Sequence, residues 1–266
     1  MPIEWLLYPA LGVVAGLLAG LLGVGGGLVL VGALALLLPA RGVPAEIAMQ
    51  AALATSLASV IATAAASALA HARRGAVLWR YVAWLLPGLL VGAWLGGRFA
   101  TGIDGDSLRW FVVGYCLLAA LQLAFDLPRR RADAPATAAT PGPWLSLAGT
   151  GIGAVSAVVG IGGGSMTVPL LVWRGVAPVR AVASSSACGV AIGLSAAASY
   201  ASAPGALGMP EGSVGYVFLP AAIGIVLTSL PMAPVGARLA HRIDGNALKR
   251  IFAGFLAAMA LLLAST

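Results

Sequence analysis

Residues 5–40 carry no charged side chain, and nearly all of them are apolar. A stretch of that length cannot be covered by a small amount of polar surface. A soluble domain is about a quarter charged. This 266-residue chain is 9% charged and 61% hydrophobic, with a mean hydropathy of +1.01. So little polar surface cannot coat a water-soluble globule, and the chain reads as an integral membrane protein.

A membrane-spanning helix needs about 20 apolar residues. The first half divides into candidate helices over 4–22, 25–39, 45–70, 78–100 and 107–126. A polar stretch rich in Pro, Ala and Thr follows, from Asp126 to Pro143. The second half gives helices over 144–160, 163–173, 179–203, 214–233 and 245–264. The prediction is an all-α polytopic membrane protein. It has a first transmembrane repeat over 1–127, a linker over 128–143 and a second repeat over 144–266. The N-terminal segment lacks a basic n-region and reads as a first membrane helix, not a cleaved signal.

The word "repeat" rests on three matches in the same order. "RFATGIDGDSLRWFVVGY" (Arg98–Tyr115) aligns without gaps on "RLAHRIDGNALKRIFAGF" (Arg238–Phe255). "GVGGG" (Gly23–Gly27) aligns on "GIGGG" (Gly160–Gly164), and "ALATSLA" (Ala52–Ala58) on "AVASSSA" (Ala181–Ala187). An internal duplication explains all three.

The net charge is +7 and the sequence pI is about 10.3. The charges sit in short clusters between apolar runs, the positive-inside pattern of membrane proteins. No basic face is long enough to follow a phosphate backbone, so nucleic acid is excluded as a partner. Arg73, Arg74 and Arg80 place the loop after the third helix in the cytoplasm, and Arg129–Arg131 place the linker there too. In the second half Arg174 and Arg180 precede the third helix. Arg238, Arg242, Lys249 and Arg250 lie between the fourth and fifth, while the loop after the third has only Glu211. Equivalent loops therefore fall on opposite sides. The expectation is two inverted repeats of about five helical segments each, with both termini outside, in a multi-pass inner-membrane protein.

With that inversion, the first two helices of each repeat must begin and end on the same side. They form a hairpin whose turn is the glycine figure. The second arm is short for a full crossing, which allows the turn to lie within the membrane as a re-entrant loop. Irregular backbone at that depth survives only inside protein or along a wet cavity. Glycine permits positive φ, lets a second backbone or a ligand come close, and exposes N–H groups at the next helix start. Such a helix start favours an anion. The alternative is plain helix packing, for which Gly and Ala are common in membranes. The candidate substrate contacts are Gly25, Gly26, Gly27, Gly162, Gly163, Gly164 and Ser165.

The third helix of each repeat adds hydroxyls. Ser56, Ser59, Thr63 and Ser67 recur at helical spacing, as do Ser184, Cys188, Ser195 and Ser199. They either line a pathway or bond their own backbone and mediate packing. Thr55, Ser56, Ser184 and Ser185 are the better substrate candidates, because they occupy matching places in the repeat. No cysteine or histidine spacing suits a metal, and no cofactor motif is present. No Gly-Lys-Ser/Thr follows the glycines, which excludes a phosphate-binding P-loop. "GTGIGA" at Gly149–Ala154 has no preceding strand and is no dinucleotide site. No acidic residue lies mid-membrane, so a proton relay is not evident and the coupling ion is left open.

The GxGGG loops, the Ala-Thr-Ser segment and the Arg…Ile-Asp-Gly loop together resemble the sulfite exporter TauE/SafE family, the TSUP transporters. The resemblance spans both halves, and "SSS" in the second half departs from the usual "TS". It implies secondary transport, as export or uptake, of small sulfur-containing anions such as sulfite, thiosulfate or organosulfonates. The expected partners are a small anionic substrate and membrane lipids. A passive anion channel is a second reading. An intramembrane serine hydrolase on Ser165 is a third, and it would need a base such as His71 or His241 within reach.

Overall fold

A computed structural model describes residues 4–22, 26–124, 140–240 and 245–265. The described residues form ten α-helices: α1 (Glu4–Leu22), α2 (Gly27–Leu37), α3 (Ala48–Ala72), α4 (Trp79–Thr101), α5 (Gly105–Ala124), α6 (Trp144–Val159), α7 (Gly164–Trp173), α8 (Pro178–Ala201), α9 (Leu219–Ala240) and α10 (Gly245–Ala264). Two single 3-10 turns join α2 to α3. The protein is an all-α polytopic membrane protein. Helices α3, α4, α8 and α9 are each long and apolar enough to cross a bilayer. With 11 and 10 residues, α2 and α7 reach only ~15 Å, half of a ~30 Å hydrocarbon core.

Two elements differ from expectation. The fourth helix of the second repeat is α9, Leu219–Ala240, where the sequence pointed to 214–233. Ser213–Val214 and Val217–Phe218 instead pair as a short antiparallel hairpin (β1, β2), and the turn between them is set by Gly215 at φ +55. Pro231 and Pro234 are accommodated inside α9, and Arg238 sits in its last turn, not in a loop. The candidate third helix, 45–70, stops just short of His71. His71 is fully buried in the last turn of α3, with Nε2 3.4 Å from Gly20 O.

Packing carries the duplication. Helix α1 lies along α9, and α4 lies along α6. Helix α3 crosses both α8 and α9, α8 crosses both α3 and α4, and α5 packs on α10. Exchanging the halves maps each of these pairs onto another or onto itself. Gly12, Gly16 and Gly20 of α1 abut Ile225/Thr228, Ser229/Met232 and Ala233/Ala237 in turn, so α1 and α9 run parallel. Gly88, Gly92 and Gly96 of α4 abut Ser146, Thr150 and Ala154 of α6, again in parallel. A Cβ at any of these six glycines would collide with the neighbouring helix. Both seams are close contacts of the small-residue kind that replaces hydrophobic driving force in a membrane.

At the centre the equivalent helices α3 and α8 meet each other. Ser67 faces Ser186, Ala64 lies against Gly189 and Ile61 against Gly193, so the two run antiparallel. An antiparallel pair of equivalent helices requires a two-fold axis across the helix direction. That makes the repeats inverted. Helix α3 is buried nearly all round from Ala48 to Val60, with Gln50, Thr55, Ser56 and Ser59 as its buried polar groups, in keeping with its central place. Leu90, Val91, Leu95 and Phe99 on α4, and Phe111 and Leu118 on α5, point outward as the lipid face. Trp79, Trp110 and Trp173 stand exposed near helix ends, where amphipathic rings favour the membrane–water boundary.

The first Ile-Asp-Gly motif closes the α4–α5 corner. Gln50 Nε2 donates to Ile103 O at 2.8 Å, and the Ser107 amide donates to Asp104 Oδ1 at 2.8 Å, capping α5. Hydrogen bonds from Ser107 hold the Asp104 carboxyl below the usual carboxylate range. Ile243 and Asp244 of the second copy lie outside the described residues.

Candidate functional site

Each hairpin turn ends in a glycine with a left-handed backbone. Gly26 (φ +69) caps α2 and Gly163 (φ +73) caps α7, and neither cap uses a side chain. The first N–H groups of a helix have no acceptor within it. Leu30 N closes the first turn of α2 on Gly26 O at 3.4 Å, and Thr167 N closes that of α7 on Gly163 O at 2.8 Å. The N–H groups of Gly27, Leu28 and Val29, and those of Gly164 and Ser165, therefore lack an acceptor in their own helix. They add to the positive end of each helix dipole.

The two turns touch. A Cβ at Gly27 would collide with Gly160 O, so only glycine allows the approach. Ser56, on α3, bridges them: its Oγ lies 3.0 Å from Gly27 O and 3.0 Å from Gly160 O. Gly160 itself has φ +78 and rests on Val31 and Leu53. Gly26 backs onto the Ala15 carbonyl of α1. Gly162 lies against Gly189 of α8, whose Cβ would stand 3.1 Å from Gly162 O. Gly26, Gly27, Gly162, Gly163 and Gly164 are all buried; Gly25 lies outside the described residues.

The hydroxyls divide into two groups. Thr55 and Ser184 are fully buried and already engaged: Thr55 Oγ1 accepts from the Phe218 amide, and Ser184 Oγ accepts from the Leu78 amide. Ser184 also donates to Arg180 O at 2.8 Å. Further along α3, Ser59 donates to Thr55 O, Thr63 pairs with Ser229, and Ser67 pairs with Ser186. Ser195 and Ser199 donate to Leu90 O and Trp94 O of α4. Ser59 bonds its own helix, and the other hydroxyls join helices together. Ser185 is buried at the place on α8 that matches Ser56 on α3.

Ser165 stands at the start of α7, and its hydroxyl pairs with the Tyr115 phenol of α5. Ser156 Oγ and Thr167 Oγ1 are fully buried with no hydrogen-bond partner among the described residues. Ser156 Oγ lies 3.3 Å from where a Cβ at Gly163 would stand. The sequence reading passed over Tyr115, Ser156 and Thr167. The signal was the difference between the repeats: Ser156, Ser165 and Thr167 align with Ala19, Leu28 and Leu30, and Tyr115 aligns with Phe255.

Inverted repeats that meet through paired glycine turns, each opening a half-length helix, define a class: polytopic membrane transporters with internal two-fold symmetry. The chain belongs to the TauE/SafE family: the family model "Sulfite exporter TauE/SafE" matches residues 8–263. It is 36% identical over 260 residues to the "Probable membrane transporter protein" of Haemophilus influenzae, covering 96% of each chain. No solved structure matches. The protein is a membrane transporter of that family.

Proposed function

We propose that the protein is a secondary transporter, working as an exporter, of small sulfur-containing anions such as sulfite, thiosulfate or organosulfonates. We place it in the inner membrane, moving its substrate without changing it chemically. The observation that carries this reading is the bridge made by Ser56 between the two glycine turns. Two helix N-termini open from those turns, at the contact between the two repeats. The substrate is held there by N–H groups of Gly25–Gly27 and Gly162–Gly164, with Ser165 and the α3 and α8 hydroxyls Ser56 and Ser185 around them. Thr55 and Ser184 position the frame.

Charge supports an anion. No carboxylate is among these residues, so a desolvated cation would have no counter-charge. Backbone dipoles and hydroxyls without a fixed cation give modest affinity and easy release, which suits transport. Burial of the turns supports alternating access, in which one repeat moves against the other. The hydrolase reading gains no support from Ser165, because its hydroxyl partner is a phenol and not an imidazole.

The test is a thermal-shift screen of the purified protein. Sulfite, thiosulfate or an organosulfonate should raise the melting temperature in a saturable way, because a ligand stabilises only the form it binds. Sodium, potassium and neutral sugars should not. Stabilisation by a cation or sugar with none from any sulfur anion would refute the proposal.

A further inference from the structure

We propose that the two glycine turns have diverged, and that the anion is held at the second one, by the hydroxyls of Ser156 and Thr167 and the opening N–H groups of α7. This rests on the anion-transporter reading and assigns it to one turn.

The backbone contribution is the same in both repeats, since Gly26 and Gly163 cap their helices in the same left-handed conformation. The side chains differ. Around the first turn the corresponding positions are Ala19, Leu28 and Leu30, all buried, and none can donate a hydrogen bond. Around the second they are Ser156, Ser165 and Thr167, with Tyr115 supplied by α5. Ser156 and Thr167 carry the argument furthest. A hydroxyl buried among apolar groups without a partner destabilises the fold, and native interiors rarely keep one without a reason. Here are two within one short hairpin, and Ser156 Oγ faces Gly163, the cap of α7.

Such donors suit a small oxyanion. Hydrogen bonds to an ionised acceptor are roughly twice as strong as neutral ones. Thr167 lies one helical turn beyond Gly163, on the face that Ser156 Oγ approaches, so the two unpaired hydroxyls and the opening N–H groups of α7 suit the oxygens of an SO3 group. Ser165, two residues before Thr167, stands on the other side of α7 and pairs with the Tyr115 phenol. Ser156 and Thr167 are both fully buried, so the site is closed to solvent in this state.

The experiment is isothermal titration of sulfite into the purified full chain, with melting curves of each variant. Ser156→Ala should weaken sulfite binding about tenfold or more, the loss of one charge-assisted bond. It should leave the ligand-free melting temperature unchanged or raised, because it removes an unpaired buried hydroxyl. Thr167→Val should act like Ser156→Ala, and Thr167→Ser should keep binding. Ser195→Ala, on the α8–α4 seam, should keep wild-type affinity. If Ser156→Ala does not fold, Ser156→Cys keeps the volume with a weaker donor and is read the same way. Wild-type sulfite affinity in the Ser156 and Thr167 variants would overturn this assignment and leave the transporter reading standing. No binding of sulfite, thiosulfate or an organosulfonate by the wild type would overturn both.

Discussion

Thr55 Oγ1 accepts a hydrogen bond from the Phe218 amide at 3.0 Å, and its counterpart Ser184 accepts one from the Leu78 amide at 2.9 Å. Phe218 immediately precedes α9 and Leu78 immediately precedes α4. The third helix of each repeat thus pins the start of the fourth helix of the other.

Loss of either pin should destabilise the protein. Thr55→Val leaves the buried Phe218 N–H unpaired, and Ser184→Ala leaves the N–H of the half-buried Leu78 unpaired. Each should cost about 1–3 kcal/mol. Melting curves in detergent check this, and a variant as stable as wild type would remove the pinning role.

Glycine substitutions should separate by what surrounds them. Gly75 has φ +64 with open space around it, so Gly75→Ala should cost only about 1 kcal/mol of backbone strain. Gly26 has a similar φ, but a Cβ there runs into the Ala15 carbonyl, and at Gly88 into the Ser146 carbonyl. Gly26→Ala and Gly88→Ala should lose most folded protein. Gly163→Val should also fail, since Gly163 combines positive φ with Ile192 and Ser156 close by. Size-exclusion profiles of the four variants decide it.

Those contrasts show what was legible in the sequence. The helix count, the duplication and its inversion could be read, because apolar runs, repeated motifs and loop charges are local signals. Thr55 and Ser184 stood out because they match in the repeat. Their partners lie 163 and 106 residues away, a relation no local pattern encodes. The start of α9 was misplaced because Tyr216–Leu219 is apolar and continues the helical pattern, while Gly212 and Gly215 hold positive φ. Ser156 and Thr167 carry no repeat signal, because they are positions at which the two halves differ.

Acid should weaken the α4–α5 corner through Asp104. Its folded pKa is depressed by hydrogen bonds from Ser107. The ionised cap therefore contributes stability above the unfolded value of ~4, and that contribution is lost as pH falls through the lower folded value. Asp104→Asn keeps an acceptor but cannot titrate. Its melting temperature should fall less than that of wild type as pH drops below ~4. Parallel profiles for the two proteins would assign the acid sensitivity elsewhere.

Orientation can be read with single cysteines in whole cells. Arg74 and Glu211 are both exposed, and native Cys116 and Cys188 are buried. Arg74→Cys should resist a membrane-impermeant thiol reagent until the cells are broken, and Glu211→Cys should react at once. The reverse pattern would invert the topology.

The most direct measurement is uptake of radiolabelled sulfite into liposomes containing the purified protein. The account predicts saturable flux that exceeds protein-free liposomes, responds to an imposed ion gradient, is competed by unlabelled sulfur oxyanions, and falls in Ser156→Ala. Sodium or potassium flux with no anion requirement, or sulfite flux no greater than through lipid alone alongside no flux of thiosulfate or organosulfonates, would contradict it.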